Sequence, residues 1–113
     1  MKVNISHKGK VFSTDVAVAD NFWARLSGYM FRKQPHVSGI LFEPANAMQT
    51  TFMFFDLDIV FLTKENRVIK ILRNVRPWRH TWFYPKTRKA LEMPSGNLPS
   101  DLKEGDILEI LSI

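Results

Sequence analysis

The sequence contains no cysteine. That absence excludes disulfides, thiolate nucleophiles and cysteine-bound zinc. A cytoplasmic location is the simplest expectation, although an extracellular domain could equally do without cysteine. Histidine is scarce. His7, His36 and His80 stand apart, beside Lys, Arg or a proline loop, without metal-ligand spacing, so no metal is expected. The five glycines are scattered singly, which excludes a glycine-rich phosphate loop. Ser27, Ser38 and Ser95 each adjoin a glycine, yet none lies in G-x-S-x-G. No apolar run approaches the roughly 20 residues of a membrane-spanning helix. The opening MKVNISHKGK has no apolar stretch, so no signal peptide is expected. These absences leave no assignable catalytic residue and no cofactor, and they lean against an enzyme.

What is present is enough apolar material for a core. Of 113 residues, 45% are hydrophobic, which predicts one globular domain over 1–113. The chain is organised around residues 50–75, read as two strands (51–62 and 68–75) joined by the turn Lys64-Glu65-Asn66-Arg67. Period-two alternation predicts further strands at 2–6, 11–18, 40–42, 88–93 and 107–110. A short helix is predicted over 21–27, with Asp20 as N-cap, Gly28 as its stop, and Phe22, Trp23 and Leu26 on one face. Pro77 and Pro85 bracket a segment expected to project as a loop rather than to pair, exposing at least one large ring. The predicted fold is mainly β: a compact β-barrel or β-sandwich of six to eight short strands with one or two short helices. Phe52, Ile59, Phe61, Ile69, Leu91 and Ile107 are the expected core, with Trp23 capping it.

The charge is uneven. Residues 64–89 hold nine Lys or Arg and one acid, Glu65, so the excess of +5 over the whole chain belongs to this one segment. Such asymmetry can mark an anionic partner, and the plainer reading is a solvated face that keeps a small basic protein in solution. Within the segment, Trp82 and Phe83 interleave with Arg73, Arg76, Arg79 and Lys86, the composition of a stacking platform for single strands. Trp78 and Tyr84 lie in the same stretch. Asp58 sits inside an apolar strand, where a carboxylate must be paired or hydrogen-bonded. Its structural reading is a strand-end acid accepting backbone N–H groups or pairing with an Arg. Its functional reading is a pocket acid working with Glu92 or Asp56. Asp58, Glu92, Met53 and Phe54 are therefore the candidate pocket. Met30, Met48, Met53 and Met93 with Phe52, Phe54 and Phe55 could line an apolar pocket or simply fill the core.

Four pieces of the sequence, taken in order, carry a family likeness: RLSGYMFR at 25–32, TTFMFFDLDIVFL at 50–62, VRPWR at 75–79, and ALEMPSG at 90–96 followed by EGD at 104–106. Together they resemble the bacterial and archaeal domain of unknown function numbered 192. The likeness runs from about residue 15 to the C-terminus. It implies a compact, mostly β domain and no particular activity. It also makes Trp78 a packing residue of the family pattern. Two positions depart from that pattern. Gln49 stands where many relatives have His, and Phe54 stands where a basic residue is common.

Two readings of function follow. One is a non-catalytic module binding a small ligand or a protein partner around the central hairpin. The other is a polyanion binder, nucleic acid included, acting through 73–89. A hydrolase using two carboxylates is a third and weaker reading, because it depends on a separation that sequence does not supply.

Overall fold

A computed structural model describes residues 1–112. One sheet of seven strands dominates it: β1 (Lys2–His7), β2 (Lys10–Ala19), β3 (Gly39–Phe42), β4 (Leu57–Leu62), β5 (Val68–Val75), β6 (Lys89–Pro94) and β7 (Leu108–Ser112). Their order across the sheet is β5-β4-β6-β3-β2-β1-β7. All neighbours are antiparallel except β2 and β3. A parallel pair needs a crossover, and the helix α1 (Phe22–Ser27) with the loop after it provides one. The sheet curls into a half-barrel whose two edges touch at one end. There Arg67 bridges Ile107, Val68 N donates to Asp106 O at 2.7 Å, and Leu108 N donates to Asn66 O at 2.9 Å.

The curl produces two cores. Alternate residues of all seven strands point inward, among them Ile5, Val16, Leu41, Val60, Leu62, Leu91 and Leu108, with Leu98 and Leu102 closing one end. The outer faces of β3, β4 and β6 are also apolar, and α1 and the long loops cover them. Ile40, Phe42, Leu57, Ile59, Phe61 and Ala90 meet Tyr29, Val37 and Met53 there. Strand β4 is thus covered on both sides, which is why its sequence, Leu-Asp-Ile-Val-Phe-Leu, is a nearly unbroken apolar run with every residue buried.

The mainly β architecture matches the expectation, and the boundaries show where local signals misled. Residues 51–56 are apolar enough for a strand but form a loop, with Phe52 at φ 61°, so β4 starts at Leu57. Three expected core members are at the surface. Phe52 is exposed in that loop, Ile107 faces solvent at the seam just before β7, and Trp23 stands out from α1 instead of capping the core. Ile69 is only half-buried. The helix is capped by Asn21, whose Oδ1 accepts from Ala24 N at 2.9 Å, one residue later than Asp20. The side chains of Phe22 and Leu26, on the face expected to be apolar, lie outside the described residues. The 77–85 segment exposes Trp78, Trp82 and Phe83 as expected, but it also pairs. Thr50 N donates to Arg79 O at 2.8 Å and Thr81 N donates to Met48 O at 2.9 Å, around a bridge between Gln49 and His80. Proline removes a donor only at its own position, so the N–H groups between the two prolines still require partners.

Candidate functional site

The outer core contains one group that such a place should not hold. Strand β6 alternates, so Leu91 and Met93 face inward while Ala90 and Glu92 face outward, Glu92 lying opposite Ile59 on β4 and Ile40 on β3. Glu92 is wholly buried, and neither carboxyl oxygen has a hydrogen-bond partner. Burial pushes its pKa from 4.5 up to about 8, so the group is a neutral acid at pH 7. Tyr29 shares this core. It donates to Val37 O at 3.0 Å, and burial, reinforced by the charge Glu92 would carry, pushes its hydroxyl well above the usual tyrosine range.

Glycine brings the chain close to this carboxyl. Gly28 ends α1 at φ 43°, and a Cβ there would lie 3.0 Å from Phe42 Cζ and 3.9 Å from Glu92 Oε1. On the other side of Gly28 and Phe42 lies a cavity of about 340 Å³, lined also by Arg25, Ala47, Met48, Gln49 and Met53. Its walls are mostly apolar, with one cation and one amide. A larger cavity of about 430 Å³ lies elsewhere, beside His7, Lys8 and Asp101. Most of the charges around that one have partners: His7 Nε2 bonds Asp106 Oδ2 at 2.8 Å and Lys8 Nζ donates to Asp101 Oδ2 at 3.3 Å. The unsatisfied acid marks the smaller cavity as the better candidate.

Asp58 does not join this site. It pairs with Met93, one residue out of phase with the Ile59–Glu92 pair, so the two carboxyls point to opposite faces of the sheet. What occupies Asp58 is a bulge in β5. The register shifts between Leu57 and Ile59, and Asn74 takes a φ of 57°. The N–H that the bulge frees donates to Asp58 Oδ1 at 2.8 Å, Ser95 Oγ donates to the same atom at 3.3 Å, and Gly96 N donates to Oδ2 at 3.1 Å. The acid thereby ties the end of β5 to the turn after β6. Asp58→Ala is expected to cost roughly 2–3 kcal/mol by stranding those donors. Urea unfolding checks this, and an unchanged midpoint would remove the role. Asp56 is exposed and engages the 95 turn only through its backbone oxygen. Of the candidate pocket, then, Met53 lines the cavity and Glu92 lies behind its Gly28 wall, while Asp58 is turned away and Phe54 is exposed.

The basic and aromatic candidates lie largely on the loops that cover the outer core. Arg76, Arg79, Trp82, Phe83 and Lys86 are exposed there, while Arg73, on β5, donates to Pro99 O at 2.8 Å. Reading the sequence missed Arg25, Gly28 and Gln49 as cavity lining. The available signals were that Arg25 and Gly28 lie in the first family-like piece and that Gln49 departs from the family pattern. It also missed that Phe31, Phe52 and Trp78 meet. Phe31 and Phe52 stack with centroids 4.9 Å apart, and Trp78 meets Phe52 edge-on at 4.8 Å.

Comparison with known proteins fixes the family. The model of DUF192, described as an uncharacterized ACR, matches residues 3–110. The chain belongs to the DUF192 family. Among curated relatives, a UPF0127 protein of Pyrococcus furiosus is 33% identical over 110 residues, covering 90% of this chain and 91% of that protein. A UPF0127 protein of Thermococcus sibiricus is 29% identical over 96 residues, covering 79% of this chain, and the match spans only 60% of the longer relative. Two solved structures share the fold. A Novosphingobium aromaticivorans protein of unknown function has a TM-score of 0.78 at 22% identity, with 96% of this chain and 84% of that one covered. A Sinorhizobium meliloti protein described as a candidate transcription regulator has a TM-score of 0.79 at 23% identity, with 96% and 92% covered. At these identities the likeness is one of fold. Among the described residues, no helix of this DUF192 chain is long and apolar enough to cross a membrane.

Proposed function

We propose that this DUF192 chain is a single-domain, cytoplasmic, non-catalytic module that takes a small ligand into the cavity above Glu92. The observation that carries the reading is the buried acid with two unpartnered oxygens directly behind the cavity wall. A neutral carboxylic acid offers one donor and one acceptor side by side. It therefore suits a ligand end that both accepts and donates, such as an amide. Phe42, Met48 and Met53 suit a flat apolar body, and methionine adapts to its outline. Displacement of the Phe42 ring edge beside Gly28 is the route by which a ligand reaches the carboxyl. The alternative of a two-carboxylate hydrolase finds no support, because both acids would have to flank one substrate and the sheet stands between Asp58 and Glu92.

Benzamide is a suitable probe, titrated against the full chain while backbone amide resonances are followed. The expected result is shifts concentrated at Gly28, Gln49 and Met53, weakening above pH 8 as Glu92 loses its proton. Ala47→Phe should fill the cavity and abolish them, since Ala47 lines it and is exposed enough to accept a larger side chain. Shifts spread over the surface, or unchanged in Ala47→Phe, would end the proposal.

A further inference from the structure

Three aromatic rings from three separate loops meet on the surface outside the Glu92 cavity. Phe31, Phe52 and Trp78 are 67%, 41% and 56% exposed, yet each touches the next. All three also take left-handed backbone angles, with φ of 64°, 61° and 66°. Large side chains seldom adopt that conformation. One such residue is a turn, but three that deliver their rings to one exposed stack indicate a surface shaped for a purpose.

The stack is also held rigidly. Phe31 N donates to Phe52 O at 2.9 Å, and Trp78 N donates to Thr50 O at 3.0 Å. The buried hydroxyl of Thr50 donates to Arg76 O at 2.7 Å and accepts from Arg79 N at 2.9 Å. Rings fixed in advance lose little freedom when a partner stacks on them.

Charge identifies the partner. The two loops that supply Phe31 and Trp78, residues 28–38 and 76–88, carry six bases (Arg32, Lys33, Arg76, Arg79, Lys86 and Arg88) and no acid, while the loop that supplies Phe52, residues 43–56, carries Glu43, paired with Lys89 at 3.5 Å, and Asp56, so the excess around the stack is positive. Arg32 follows Phe31, Arg79 follows Trp78, and Arg76 precedes it by two; all three are exposed, and none is in an ion pair among the described residues. An apolar protein partner would need the rings but not these cations, and an acidic surface would need the cations but not the rings. A strand of unpaired bases on a phosphate backbone uses both.

We propose that the Phe31–Phe52–Trp78 stack, with Arg32, Arg76 and Arg79 beside it, is a docking surface for single-stranded nucleic acid. Bases stack on the rings while the arginines hold phosphates. The surface is separate from the cavity, so it stands or falls independently of the small-ligand reading.

The test is anisotropy of labelled oligo-dT and oligo-U with the full chain at low and moderate salt, against a duplex and heparin as controls. Single strands of either sugar should bind, and the logarithm of affinity should fall with that of salt with a slope of about −2, as roughly three phosphate contacts imply. Trp78→Gly and Phe31→Gly remove a ring while relieving its backbone, so cooperative melting should survive. Each should weaken binding about tenfold, within the range of one lost stacked base. Arg76→Gln with Arg79→Gln should flatten the salt slope toward about −1. No binding at low salt overturns the proposal. So does equal binding of duplex or heparin, or binding that ignores the glycine variants while they remain folded.

Discussion

Replacing Glu92 by Gln should change how the stability of this protein depends on pH. The folded-state pKa of Glu92, about 8, lies above its unfolded value of 4.5. Below pH 4.5 the acid is neutral in both states, and its burial carries no ionisation penalty. As pH rises from there, the unfolded chain releases the proton and the folded chain keeps it, so stability falls at about 1.36 kcal/mol per pH unit. The loss levels off once pH passes the folded value, and it totals up to roughly 5 kcal/mol. In Glu92→Gln the side chain keeps a similar shape and has no proton to lose. The unpartnered amide it introduces costs something at every pH, about 1–3 kcal/mol, so the difference in pH slope is the clean readout. Urea unfolding of both proteins from about pH 4.5 to about pH 8, the window between the unfolded and folded values, should show the difference in stability moving steadily in favour of the variant as pH rises. Parallel curves would mean that Glu92 ionises normally in the folded protein, and that an unseen partner satisfies it.

Phe61→Ala should be comparably damaging by a different route. Phe61 is wholly buried on the outer face of β4 and packs against Tyr84 with ring centroids 5.0 Å apart. Removing the ring leaves a cavity between a central strand and the loop laid over it, at a cost of roughly 3–5 kcal/mol. That is a large fraction of the roughly 5–15 kcal/mol typical of a small domain. Equilibrium unfolding measures it directly. A loss well under about 2 kcal/mol with the fold intact would show that the 76–88 loop collapses into the space, and that the outer core is softer than its burial suggests.

Much of this was legible along the chain because strands and turns are written locally. The β5 strand stands at 68–75 as its run of Val, Ile and Leu after a turn predicts, and the Lys64–Arg67 turn forms with Asn66 at a φ of 69°. The inward and outward residues of β4 follow from a period of two, which by itself sets Asp58 on one face with Val60 and Leu62. Composition failed where burial depends on distant segments. Residues 51–56 are as apolar as a strand, but no neighbouring strand pairs with them, so they became the loop that carries Phe52 outward.

The sequence by itself determined the mainly β class, the family, the position of the hairpin, the need for Asp58 to find hydrogen-bond donors, and the concentration of positive charge after residue 64. Each of these is local, or is a sum over residues. Only the tertiary structure decided which acid is satisfied and which is not. The strand register, set by pairing between β4 and β6, gives Asp58 the donors of a bulge and a turn and leaves Glu92 on the opposite face with none. It likewise brought Phe31, Phe52 and Trp78 together from loops far apart in sequence, because a sheet that curls gathers its loops over one outer face. Contacts across such separations leave no periodic trace in the chain, and so the candidate sites emerge only once the strands are in register.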